Sequence, residues 1–211
     1  MLERREDVFY YITVTNENYP QPTLNASARE HVIKGMYRLR EFAGGGIEAE
    51  VHLLGSGAIL REVIEAGRLL REEWQIGSYI WSVTSFSELA REAREIERFN
   101  RLHPTDSRRR SHLVACLDGA APVIAATDYV CAYPHMISPY ISNRFLALGT
   151  DGFGRSDTRV QLRRFFEVDS RQIVATALYA LELEGRVATS TVAEAIGRYQ
   201  INPSAVPPWL C

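Results

Sequence analysis

Hydrophobic and polar positions along the chain alternate between two periods. Val51–Leu54, Tyr79–Thr84, Leu113–Leu117, Val123–Ala126 and Phe145–Leu148 are short apolar runs of strand length. Between them lie longer amphipathic stretches with helical spacing. In 58–74, Ile59, Val63, Ile64 and Leu70 form an inward stripe, and after Ser85 a second stripe carries Leu89, Ala93 and Ile96. Ser85 and Glu88 have capping-box spacing, which predicts a helix start there. The five residues 118–122 between Leu117 and Val123 predict a tight connection, and so an antiparallel pair inside an otherwise parallel sheet.

The flanks extend the pattern. Val8–Val14 reads as a strand, and Asn25–Phe42 as a helix capped by Ser27 and Glu30, with Val32, Ile33, Met36 and Tyr37 as its stripe. Gly44-Gly45-Gly46 then makes a joint. Towards the other end, Thr158–Phe166 is helical with Asp157 as its expected cap. Ile173–Leu183 is helical up to Gly185, and Thr191 with Glu194 marks a last helix carrying Val192, Ala195, Ile196 and Tyr199. The expected fold class is α/β: a three-layer domain with a mostly parallel five-stranded sheet that includes one antiparallel strand.

Composition narrows the classes of function. The 211 residues are 46% hydrophobic and 24% charged with a net charge of −2, an ordinary globular balance without an overall basic surface for nucleic acid. No apolar run reaches membrane-spanning length, and the charged start, 1–7, lacks a secretory core. Cys116, Cys131 and Cys211 are widely spaced and outside any Cys-x-x-Cys pattern. These features predict free thiols and a cytoplasmic protein.

Candidate chemistry is sparse. Gly55-Ser56-Gly57 lies at a strand-to-helix turn, but Leu60 stands where the dinucleotide pattern wants glycine. Tight-turn geometry is the simpler reading. His103 follows a helix and has no nucleophile or carboxylate at a recognised spacing. Cys131 and His135 are four apart, with Pro134 between them working against a regular helix. Arg108-Arg109-Arg110 is a short basic run beside Asp106, suited to a solvated loop or an acidic partner surface. Asp151, Arg155 and Asp157 flank the glycines after the last expected strand, at the sheet edge where open α/β folds bind ligands. They could line a pocket or a domain seam. Capping by Asp157 and an Arg155–Asp151 ion pair are the purely structural readings.

The run Leu148-Gly149-Thr150-Asp151-Gly152-Phe153-Gly154-Arg155-Ser156-Asp157 resembles a signature of the transketolase-like C-terminal domain of the homodimeric pyruvate dehydrogenase decarboxylating component. Tyr10-Tyr11-Ile12-Thr13, Asn16-Glu17-Asn18-Tyr19, Leu53-Leu54-Gly55-Ser56-Gly57, Trp81-Ser82-Val83-Thr84-Ser85-Phe86 and Leu102-His103-Pro104 match the same family in order. The resemblance implies that residues 1–25 are the terminal strand and linker of a preceding domain. It makes 26–47 a helix and glycine joint, and 48–211 the C-terminal domain.

In that family, thiamine diphosphate and magnesium are held by the preceding domains, through a Gly-Asp-Gly motif that does not occur here. The resemblance therefore implies no catalytic, cofactor or metal residue in this chain, and it leaves Asp151, Arg155, Asp157 and His103 as pocket or interface candidates. The implied role is a supporting and dimerising lobe for oxidative decarboxylation of pyruvate. Its implied partners are the remaining domains, a second copy and, indirectly, the lipoyl acyltransferase. A freestanding non-catalytic binding or regulatory module built from the same domain is the alternative.

Overall fold

A computed structural model describes residues 3–5, 7–9, 18–24, 26–45 and 49–211. Residues 10–14 of the expected first strand lie outside this set. After a 3-10 turn and the short helix α1 (Arg29–Ile33), the chain forms β1 (Met36–Phe42), β2 (Glu50–Gly55), α2 (Leu60–Trp74), β3 (Gly77–Val83) and α3 (Phe86–Leu102). Next come α4 (His112–Cys116), β4 (Val123–Ala126), α5 (Ala132–His135), β5 (Phe145–Leu148), α6 (Arg159–Phe165), α7 (Ser170–Leu183) and α8 (Thr189–Arg198). The five strands lie in the order β1-β3-β2-β4-β5. Among the described residues β2 to β5 are parallel, and β1 alone is antiparallel, paired with β3.

The alternation of side chains across the strands divides the core. Val51 and Leu53 of β2 and Ile80 of β3 pack under α2, α7 and α8, with Val63, Leu70, Leu178 and Ala195 among the buried partners. Leu54, Trp81 and Val83 point the other way, against Phe86 and Leu89 of α3 and Leu113 of α4. Three layers result, as the sequence pattern predicts. Hydrogen bonds tie the end of α8 to α2: the Trp74 indole N–H donates to the Tyr199 hydroxyl at 2.9 Å, which in turn donates to Glu73 at 3.0 Å.

The antiparallel member of the sheet is not the one expected. Residues 36–42, read as the end of a helix, form β1. The reason is Gly35, whose φ of +102° ends α1 and whose carbonyl accepts from the Thr84 and Ser85 amides. A Cβ there would stand 2.7 Å from the Ser85 carbonyl oxygen, so no other residue fits the turn without movement. The apparent stripe splits in consequence: Met36 is fully buried in the sheet, whereas Ile33 is 79% exposed. The capping box at Ser27 does not form, and the cap position of α1 is Ala28.

Leu113–Leu117 is likewise helical rather than a strand. Ser111 accepts from the Val114 amide at 3.2 Å and starts α4, so no hairpin links it to β4. Two further caps shift position. Thr158, not Asp157, accepts from the Gln161 amide at the start of α6, while Asp157 accepts from the Thr158 amide at 2.7 Å. α8 begins at Thr189 after Ala188, so Thr191 is inside it. The cap at Ser85 forms as expected, with the Glu88 amide donating at 3.1 Å.

Candidate functional sites at the two ends of the sheet

At the carboxyl ends of β2, β4 and β5, polar groups are joined to one another. Gly57 turns the chain out of β2 with φ +58°, directly against the Asp128 carboxylate. The Ala58 amide donates to Asp128 Oδ2 at 2.8 Å, and the Ser56 hydroxyl donates to Thr127 Oγ1 at 2.8 Å. The Thr150 hydroxyl donates to the Asp128 carbonyl at 3.1 Å, and the Cys131 amide donates to Asp151 at 3.1 Å. A carboxylate already sits where a phosphate would meet the amides of this turn, and like charge would repel a diphosphate. These residues do not fit the thiamine diphosphate of the resembled family.

The candidates from the 148–157 run take separate roles here. Asp151 binds the Cys131 amide rather than Arg155, whose guanidinium lies 4.3 Å from the Phe165 ring centroid. Asp157 is exposed beside the α6 cap. A cavity of about 350 Å³ opens between Ala58, Asp128, Thr150, Arg155, Arg159 and Phe166. At the loop's tip Phe153 is 85% exposed. His103 is elsewhere. α3 starts at the carboxyl end of β3 and runs back for 17 residues, about 25 Å, so its last turn lies towards the opposite end of the sheet. There His103 stacks on Phe99 at 4.2 Å and its Nδ1 donates to the Phe99 carbonyl at 2.9 Å.

Of the basic run, Arg109 covers Phe99 at 3.4 Å and Arg110 pairs with Asp118 at 3.0 Å. Cys131 and His135 are engaged separately: the thiol donates to the Ala147 carbonyl, and the imidazole meets Phe145 edge-on at 5.7 Å. Burial, helped by Asp151, pushes the Cys131 thiol up to about 12, so it stays protonated at neutral pH.

At the amino ends of β2 and β3 the arrangement differs. A cavity of about 730 Å³ is lined by His31, His52, Tyr79, Trp81, Cys116 and Arg186, among others. His52 is 4% exposed and accepts from the Trp81 indole N–H on Nδ1 at 3.1 Å. Burial lowers its pKa, because the cation would lose its hydration. The Tyr79 hydroxyl donates to Glu50 at 3.0 Å. Cys116 is pushed up to about 11, first by burial and then by the Glu92 charge, which makes it a poor nucleophile.

The sequence marks Cys116 only as a free thiol and Trp81 only as part of a family word, and it gives His31, His52 and His112 no chemical role. The spacing of His112 and Cys116, four apart, becomes informative only once 112–116 is known to be a helix.

Comparison with known proteins adds an independent line. Residues 35–169 match the model of the transketolase-like C-terminal domain, whose first residue adjoins β1. The chain is 48% identical over 209 residues to the pyruvate dehydrogenase E1 component of Cupriavidus necator, covering 99% of this chain and 23% of that protein. The E1 component of Pseudomonas aeruginosa is 49% identical over 213 residues, covering 100% and 24%. That of Escherichia coli K12 is 42% identical over 209 residues, covering 99% and 23%. The chain thus spans about a quarter of the length of the curated relatives it matches. Among solved structures, a transketolase from Pichia stipitis in complex with a seven-carbon sugar phosphate superposes with a TM-score of 0.50 at 15% identity, over 79% of this chain and 20% of that one. That likeness concerns the fold alone.

Proposed function

The chain belongs to the family of transketolase-like C-terminal domains, and on that premise we propose that it is the supporting lobe of a thiamine-diphosphate-dependent pyruvate dehydrogenase. The observation that carries this reading is the high identity, running nearly end to end, to pyruvate dehydrogenase E1 components. The parent enzyme decarboxylates pyruvate oxidatively and passes the acetyl group to lipoyl groups of a partner acyltransferase. The chemistry, with thiamine diphosphate and magnesium, belongs to the domains that this lobe braces. The lobe itself contributes surface and rigidity.

On this reading residues 1–25 are the end of the preceding domain, and the assembly is a cytoplasmic homodimer. The loop carrying Asp151, Arg155 and Asp157 faces the preceding domains or the second copy. Phe153 supports that placement, since a covering surface would remove its exposed ring from water. His103 keeps a local role in ending α3. Among the described residues no helix is long and apolar enough to cross a membrane.

The test compares three proteins for pyruvate decarboxylation with thiamine diphosphate and magnesium. They are this chain alone, the preceding domains of the Cupriavidus necator relative alone, and those domains fused to this chain. The expected order is no turnover for this chain and full turnover only for the fusion. A fusion no more active than the preceding domains alone would sink the proposal in favour of a freestanding module.

A further inference from the structure

The amino-end cavity holds a cluster that the supporting role does not use. His31 on α1, with His112 and Cys116 on α4, offers one ligand atom each, and these atoms all lie within 4.8 Å of one another. We propose that His31, His112 and Cys116 form a binding site for a divalent cation of the zinc class. Two imidazoles and a thiolate, which Cys116 supplies by releasing its proton to water as the ion binds, are the donors that zinc, cobalt and nickel prefer, and that calcium and magnesium do not.

The positions follow from the local structure. A four-residue spacing on α4 sets His112 and Cys116 on one face, with Sγ 3.7 Å from Nδ1 and 3.5 Å from Nε2 of the imidazole. Nε2 of His112 lies 2.9 Å from the Met36 carbonyl oxygen, which can only accept, so Nε2 carries the hydrogen and Nδ1 keeps its lone pair. Holding one ring nitrogen on a backbone carbonyl is how proteins orient a ligating histidine. Ligand atoms around tetrahedral zinc stand about 3.3–3.7 Å apart, by the usual bond lengths. The cluster needs to contract by about 1 Å to meet that spacing.

His31 is exposed and tilted at 37° over His112 with ring centroids 5.1 Å apart, so its side chain can supply that movement. His31 and Cys116 both line the cavity, which leaves the fourth position open to water or an added ligand. Close by, Glu92 accepts from the His112 amide at 2.8 Å and its negative charge acts on Cys116, as do the opposing Lys34 and Arg38 cations.

A plain thiol-to-imidazole hydrogen bond would use His112 and Cys116 and leave His31 idle. Coordination requires all three, and that separates the two. Cobalt(II) is titrated into the chain carrying Cys131→Ala and Cys211→Ala, so that Cys116 is its only thiol. The expected result is a strong near-ultraviolet thiolate-to-cobalt band that saturates at one ion per chain, disappears with Cys116→Ser and is displaced by zinc. His31→Ala weakens the affinity by about tenfold or more, and at one zinc concentration the melting midpoint rises less for that variant than for the chain. Absence of the band at stoichiometric cobalt, or equal affinity with and without His31, would overturn the proposal. Neither readout depends on activity, so this outcome is independent of the supporting role.

Discussion

The two ends of the sheet are finished with different residue types, small hydroxyls and carboxylates at one and aromatic rings at the other. At the carboxyl ends of the strands, Ser56 pairs with Thr127, Thr150 bonds the Asp128 carbonyl, and the carboxylates of Asp128 and Asp151 take the Ala58 and Cys131 amides. At the amino ends, His52, Trp81 and Tyr79 form only short links, and a large cavity remains beside them. The carboxyl edge is where open α/β folds usually bind ligands. Here the turn amides of that edge are taken by its own carboxylate, and cavities of about 350 and 570 Å³ lie around it, while the opposite edge keeps one of about 730 Å³. A fold-level rule therefore points to a place, and only the side chains decide whether the place is free.

The sharpest way to break the contrast is at the carboxyl end, where Asp128 holds the turn. Gly57→Ala puts a Cβ into the Asp128 carboxylate at a left-handed residue. The expected loss is roughly 3 kcal/mol, from backbone strain and displacement of the aspartate. Urea unfolding of the variant measures it, and a loss below ~1 kcal/mol would show that the turn is loosely held.

At the open end, Trp81→Phe removes the donor to His52 and leaves a buried acceptor unsatisfied. The expected cost is about 2 kcal/mol, read by the same unfolding experiment. A neutral result would mean that water from the cavity replaces the indole.

The smallest effect is with pH. Burial lowers the folded-state pKa of His52 below its ordinary 6.5. The unfolded chain therefore binds more protons just below that value, and this contribution to stability is complete above pH 6.5 and declines as pH falls through it. Melting midpoints measured downward from pH 7.5 should drop, and His52→Gln should flatten the slope. An unchanged slope would place the sensitivity in other histidines.

The alternating pattern was enough to give an α/β domain with a mostly parallel five-stranded sheet, the α2 and α3 helices and the cap at Ser85. It did so because strand and helix periods differ and buried faces must be apolar whatever their partners. The loop at 149–157 was also readable, since glycines and acids after an apolar run favour a turn. Which strand runs antiparallel was decided by tertiary contacts. Val32, Ile33, Met36 and Tyr37 fit a helical stripe on spacing alone, and only the approach of Gly35 to Ser85 and the pairing of Met36 with Val83 make 36–42 a strand. Leu113–Leu117 was equally ambiguous, being too short for its period to show. The amino-end cluster joins residues 31, 52, 81, 112 and 116 from four elements, and no sequence spacing records a distance that exists only after the layers pack.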